Sequence, residues 1–386
     1  MTLPPAWKIK RELVRPFKRL IVPIQYPLDL TRQSLHDVRS SQRVKVTQTE
    51  RPLGDRIAIF VIFQPNGIAA STFFTMDHLV EQGFDVVVVC NGPHRSADIL
   101  RLAQTATLIV ERPNLGYDFG GYRDGLRVVN ARAKKPRRLV FLNDSTWFPL
   151  RLGDDTLSRM DQVCKIMIGH IFKTEDEKKP ANDHVESHLL MFSGEGVASP
   201  AFKEFWANLV LSNRRDATIA RGEKQITQAI LKQESEAKGL LSHEAVTALL
   251  SNMDSAEIKA VMNCVIPYDQ GTRVLFEKLN EQWDKEPGAS LAFQAWVHQA
   301  LSNSTQYLLS AAFVNFAMRY GKLGFAKKAH DIRFHLARQE VLRMEKAGLI
   351  PPLHPAVRSE MLAMVERWPS GPSPDNTAAN RASRPD

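Results

Sequence analysis

Cysteine is scarce: the chain of 386 residues has three, Cys90, Cys164 and Cys264, all far apart. That number and spacing exclude a disulfide framework and the paired ligands of a zinc site, leaving reduced thiols. Long apolar runs are missing as well. No stretch approaches the roughly eighteen uninterrupted apolar residues that mark a membrane span. The start, MTLPPAWKIKRELVRPFKRLIVPI, shows neither the apolar region nor the small-residue cleavage site of a secretory signal, so a cytoplasmic location is expected. Three common site motifs are also absent. FQPNGIAAS, after the first apolar run, has one glycine and so no G-x-G-x-x-G dinucleotide fingerprint, and neither a P-loop lysine nor a G-x-S-x-G elbow occurs.

What is present is a globular composition, 44% hydrophobic and 24% charged, enough for one large core and a second, smaller domain. The net charge of +9 is uneven, because residues 1–51 hold eleven Lys and Arg against four Asp and Glu. In WKIKRELVRPFKRLIVPI basic residues alternate with Trp7, Ile9, Leu13, Val14, Phe17, Leu20 and Ile21. This pattern suits an anionic membrane surface, or a solvated arm packing its apolar residues on the domain. Pro16 and Pro23 keep any helix there short. No aromatic-interleaved basic motif supports nucleic-acid binding.

From residue 57 short apolar runs alternate with helical segments, as in a mostly parallel α/β sheet. Strands are predicted at 57–63, 84–90, 106–111 and 137–144, with further candidates at 165–171 and 188–194, and helices at 72–83, 96–105, from 117, 200–212 and 223–233. Residues 241–350 read as a helical appendage, and 367–386 have a disordered composition. The resulting division is a basic arm at 1–54, an α/β domain at 55–240, the helical region and the tail.

Two polar clusters follow the third and fourth strands, where open α/β sheets bind ligands. The first is RPNLGYDFGGYRDGL. On a helix starting near Tyr117, Asp118, Gly121, Tyr122 and Gly125 share one face, and Phe119, Leu126 and Val129 another. The apolar face suits the sheet. The glycine face leaves clearance for a ligand or another backbone, and Asp118 either touches that ligand or stabilises the helix start. The second cluster, Asn143-Asp144-Ser145, supplies a carboxylate and neutral oxygens for hydroxyls or a hard cation, or else forms an Asx turn. His184 and His188 lie four apart without a catalytic Glu after His184, so an acceptor-loop or surface role is favoured over zinc. Phe205 and Trp206 are assigned to the core; Trp147 is either core or a sugar-stacking platform.

RPNLGYDFGGYRDGL, LNDSTWFPL, SHLLMFSGEGV, FKEFW and GEKQITQAI together resemble the rhamnan synthesis F proteins, bacterial glycosyltransferases of polysaccharide assembly. The resemblance spans roughly residues 55–240 and implies a GT-A-like, Rossmann-type, mostly parallel sheet flanked by helices. It implies transfer of a sugar, L-rhamnose first, from a dTDP- or GDP-activated donor to a glycan or lipid-linked glycan, with inversion. The different-class alternative is a non-catalytic nucleotide-sugar-binding subunit of a partner transferase. Asn114, Gly116, Asp118, Gly120, Gly121, Tyr122, Asp124, Asn143 and Ser145 are its donor-binding candidates. Asp144 is the candidate for Mg²⁺ or Mn²⁺, although Asn143-Asp144-Ser145 stands where the GT-A fold usually bears D-x-D and has one carboxylate instead of two. Inverting transfer needs a base and a stabiliser for the departing diphosphate. Glu223 is the first candidate base and Glu186 the second; Asp144 with a metal, Arg123 or the N–H groups near Gly120 are the candidates for the diphosphate.

Overall fold

The computed structural model describes residues 25–132, 135–174, 182–234, 236–285, 288–303 and 307–368. The basic stretch at 1–24, the middle of the 172–187 loop and almost all of the tail lie outside them. The described part begins with α1 (25–38) and α2 (Ser40–Arg43), then β1 (Lys45–Gln48) and β2 (Arg56–Ile62). There follow α3 (Ala70–Glu81), β3 (Asp85–Asn91), α4 (Ser96–Leu102), β4 (Leu108–Arg112), α5 (Tyr117–Asn130) and β5 (Arg138–Asn143). A short β6 (Thr146–Trp147) leads to α6 (Thr156–Val163), β7 (Met167–Lys173), β8 (His184–Val185), β9 (Leu189–Ser193), α7 (Gly194–Ala198) and α8 (Pro200–Asn208). After α9 (Arg215–Thr218), a π-helical turn (Ile219–Lys224), α10 (Gln225–Gln233) and β10 (Ala237–Leu241), helices take over: α11 (His243–Ser251), α12 (Ser255–Cys264), α13 (Gln270–Gln282), α14 (Ala289–Asn303) and α15 (Val314–Arg319). Then come β11 (Ala326–Lys327), α16 (Ile332–Lys346) and α17 (Pro355–Glu366).

The sheet runs β1-β4-β3-β2-β5-β9-β7-β10, with β8 on β7. The strands β4, β3, β2 and β5 are mutually parallel, β10 is parallel to β7, and β1 and β9 are antiparallel to their neighbours. Both faces are covered, which is why the strands read as unbroken apolar runs. Strand alternation divides β2 between two layers. Ile57, Ile59 and Val61 belong to the cluster built with Phe119, Tyr122 and Leu126 of α5 and Phe202 and Trp206 of α8. Ala58, Phe60 and Ile62 belong to a larger cluster with Phe73 and Met76 of α3 that runs on to Val357 and Met361 of α17.

That second cluster corrects the expectation of a helical appendage. The region after 240 shares a continuous core with the sheet, and β11 pairs antiparallel with β6, setting Ala326 opposite Trp147 and Lys327 opposite Thr146. The edge strands β1 and β10, both without a strong alternating pattern, were not predicted. Described residues of the expected arm are likewise built into the fold, since β1 pairs with β4 and α1 is pinned by Arg221 to Asp29 at 2.9 Å and by His36 to Asp124 at 2.9 Å.

Candidate active site at the strand ends

The parallel strands β4, β3, β2 and β5 end on the same edge of the sheet, so the loops after them meet. The loop after β5 turns sharply because Asn143 Oδ1 accepts from the Ser145 N–H at 3.1 Å and from Ser145 Oγ at 2.5 Å. The expected Asx turn therefore exists. It leaves the Asn143 amide free to donate to Asp118 Oδ2 at 2.9 Å, joining the two clusters predicted to share a crevice. Asp144 turns towards β2, where its Oδ2 accepts from the Phe63 N–H at 2.9 Å and Gln64 Nε2 at 2.8 Å.

The opening of α5 is shaped by its loop. Gly116 has φ +79° and Tyr117 φ +49°, a left-handed pair that only glycine adopts without strain. Asn213 holds them, accepting from the Gly116 N–H at 2.9 Å and receiving the Tyr117 hydroxyl on its carbonyl at 3.0 Å. Tyr117 is left 41% exposed beside Asp118, an aromatic surface that the spacing argument passed over. Asn114, in the same loop, keeps a buried Oδ1 without a hydrogen-bond partner among the described residues.

Farther along α5 the structure corrects the sequence reading. A Cβ on Gly121 would meet both methyls of Val61 at 2.7 Å, and one on Gly125 would meet Ile59 at 2.7 Å and Val89 at 3.0 Å. One on Gly120 would strike the Leu115 carbonyl at 1.8 Å. The clearance bought by glycine is used by the sheet and by the preceding loop, and no ligand can share it. Tyr122 is fully buried, donating to the Ser187 carbonyl at 3.0 Å. Asp124 accepts from Arg112 Nε at 2.6 Å and contacts His36; burial alone would raise its carboxyl, but these partners and Arg123 hold it well below the usual range. Both Arg123, paired with Asp37, and the Gly120 N–H, given to the Gly116 carbonyl, are spent as diphosphate ligands.

The two candidate bases are also engaged. Glu223, on the π-helical turn, accepts from the Ser187 N–H at 2.8 Å and Oγ at 2.5 Å with one oxygen and meets His184 Nε2 at 3.2 Å with the other. Against the upward push of burial, these contacts hold its carboxyl low, while Glu223 in turn raises His184 despite burial. Glu186 meets Lys327 at 2.9 Å and His188 at 3.5 Å, which outweigh burial and keep it well below the carboxylate range. His184 and His188 are thus buried groups, correcting the acceptor-loop expectation; burial and Lys327 push His188 down to about 4. Trp147 is 1% exposed with its indole N–H on Glu360 at 2.9 Å, so it is core and no sugar platform.

Asp118 differs from both. Burial, then the charges of Asp144 and Glu223, push its carboxyl up to about 7 against the pull of Lys327 and Arg215. Two lysines, Lys327 of β11 and Lys328 just after it, complete the site. Register on β6 carries Lys327 to Glu186, while the Lys328 N–H donates to the Ser145 carbonyl at 2.9 Å and Nζ reaches Ser71 Oγ at 3.2 Å. No sequence signal marked them, because the pairing joins positions about 180 residues apart.

A resident dication is poorly served here. Mg²⁺ and Mn²⁺ take about six oxygens, of which one or two carboxylates come from the protein and the rest from water and substrate phosphates. Here a single carboxylate, Asp144, has one oxygen bonded to the Phe63 N–H and Gln64, the Asn143 side-chain carbonyl is taken by Ser145, and the Lys328 ammonium acts on Asp144. Among the described residues no group of three His, Cys, Asp or Glu is placed to hold a metal.

The model of the rhamnan synthesis protein F family matches residues 86–281. The uncharacterized protein y4gN of Sinorhizobium fredii is 30% identical over 268 residues, 69% of this chain and 70% of that protein. The chain belongs to the rhamnan synthesis protein F family, and so to the glycosyltransferase-like proteins. Among solved structures, similarity extends to the mannosyltransferase PcManGT of Pyrobaculum calidifontis in complex with GDP-Man and Mn²⁺, at 10% identity and a TM-score of 0.31 over 90% of this chain and 95% of that one. It extends also to the mannosyltransferase Ktr4p of S. cerevisiae, at 8% identity and a TM-score of 0.26 over 48% and 68%. No residue is assigned from either.

Proposed function

We propose that the protein transfers a sugar, L-rhamnose by family resemblance, from a nucleotide-activated donor to a growing polysaccharide or lipid-linked glycan, with inversion. The observation that carries this reading is the junction of Asp118, Asn143 and Asp144 at the ends of the parallel strands. Ser145 faces the donor sugar and Asp144 the donor's polar groups, while buried Asn143 orients Asp118. The base is Asp118, in place of Glu223 or Glu186. A carboxyl poised near neutrality can take a hydroxyl proton as the oxygen attacks, whereas carboxylates held in ion pairs are weaker bases. Exposed Tyr117 offers a face for the nucleobase. The basic N-terminal stretch would keep the enzyme on the cytoplasmic membrane face, near a lipid-linked acceptor.

The test is turnover with dTDP-, GDP- and UDP-sugars. Release of nucleoside diphosphate, abolished by Asp144→Ala and strongly slowed by Asp118→Asn, supports the reading. A protein whose melting temperature rises with nucleotide sugars but which never releases nucleotide, with any acceptor, would be the binding subunit instead.

A further inference from the structure

We propose that Lys328 takes the part of a divalent cation in this site, binding the donor's diphosphate through Nζ. The proposal rests on the glycosyltransferase reading and follows from the mismatch between that reaction and the donor set. Departure of a nucleoside diphosphate places negative charge on a phosphate oxygen, which needs a positive partner. Asp144 presents one carboxylate with one oxygen already bound, and Arg123 and the Gly120 N–H are committed elsewhere.

Lys328 is held where that charge is wanted. Its N–H is bonded to the carbonyl of Ser145, one residue after Asp144. Its side chain is 19% exposed, lies 5.5 Å over the Trp147 ring, and has Ser71 Oγ at 3.2 Å and Glu360 Oε2 at 4.0 Å. Among the described residues only the serine is within hydrogen-bond distance. An ammonium has three N–H donors, so two remain for ligand oxygens. The surrounding groups already recognise an anion: Glu360 accepts from the Ser71 N–H at 2.9 Å, Ser71 Oγ at 2.6 Å and Trp147 Nε1 at 2.9 Å. Burial lowers the Lys328 ammonium, while Glu360 and Asp144 work to keep its proton in place. Partial desolvation also strengthens its attraction for phosphate oxygens relative to a lysine in water.

In the step itself, the acceptor oxygen forms a bond to the anomeric carbon and its proton passes to Asp118. The bond from that carbon to the diphosphate breaks, its electron pair stays on the phosphate oxygen, and Lys328 hydrogen-bonds that oxygen while keeping its own proton.

Calorimetric titration of the full chain with dTDP, GDP, UDP and inorganic pyrophosphate, with EDTA and with Mn²⁺, tests this. Wild type is expected to bind a nucleoside diphosphate in EDTA, Lys328→Ala to bind it about 10- to 100-fold more weakly, and Lys328→Arg to recover most of the loss. If Lys328→Ala melts below wild type, Lys328→Gln, which keeps an N–H donor and most of the side-chain volume without the charge, replaces it. Unchanged affinity in a folded K328A or K328Q, or binding that EDTA abolishes in wild type, overturns the role of Lys328 and leaves the transferase reading standing. Failure of wild type to bind any nucleoside diphosphate under either condition overturns both.

Discussion

The glycine face of α5 and the turn after β5 look alike in the sequence, both polar, both rich in small residues and both following a strand. In the fold they do opposite work. Gly120, Gly121 and Gly125 are pressed against Leu115, Val61, Ile59 and Val89, and Asp124 is locked in an ion pair with buried Arg112. Asn143, Asp144 and Ser145 satisfy part of their hydrogen bonding within the turn and keep the rest for Asp118 and the open strand ends. A missing side chain says that something comes close; only the fold says whether it is a ligand or a strand.

The comparison can be broken from the α5 side first. Asp124→Ala strips Arg112 and His36 of their carboxylate and should cost about 3–5 kcal/mol in urea unfolding, because an unpaired buried charge remains. Gly120→Ala should cost about 3 kcal/mol, since a backbone carbonyl 1.8 Å from the new methyl cannot yield without unwinding the helix start. Normal stability in either variant would return the α5 face to the ligand. At the strand ends the effects on stability shrink and those on chemistry grow. Asp118 titrates near 7 in the fold against about 4 unfolded, so its contribution to stability is full below pH 4 and is lost as pH rises to 7. Asp118→Asn should therefore be more stable than wild type at pH 8 and equal to it at about pH 4. Thermal melts across that range check the sign. Asp144→Ala should lose turnover yet cost only about 1 kcal/mol, the worth of the hydrogen bonds to Phe63 and Gln64.

Much of the sheet was legible because buried parallel strands are continuous apolar runs. The predicted strand at 57–63 is found at Arg56–Ile62, and that at 84–90 at Asp85–Asn91. The helix predicted from Tyr117 begins there. The meeting of Asp118 with Asn143 was legible too, since ligand crevices form at strand ends. Less legible were the states of the carboxylates. Glu223 opens a helix in a family-like motif, but Ser187 and His184, some forty residues earlier, decide that both its oxygens are taken.

Local pattern by itself determined the central strands of the sheet and the helices between them, and that two polar clusters stand at strand ends, because periodicity and burial act over a few residues. Tertiary structure alone decided which face of α5 meets the sheet, which carboxylate stays near neutrality, and that Lys327 and Lys328 enter the site. Each of these depends on groups brought together across long chain separations, where desolvation and charge act through space and leave no local trace.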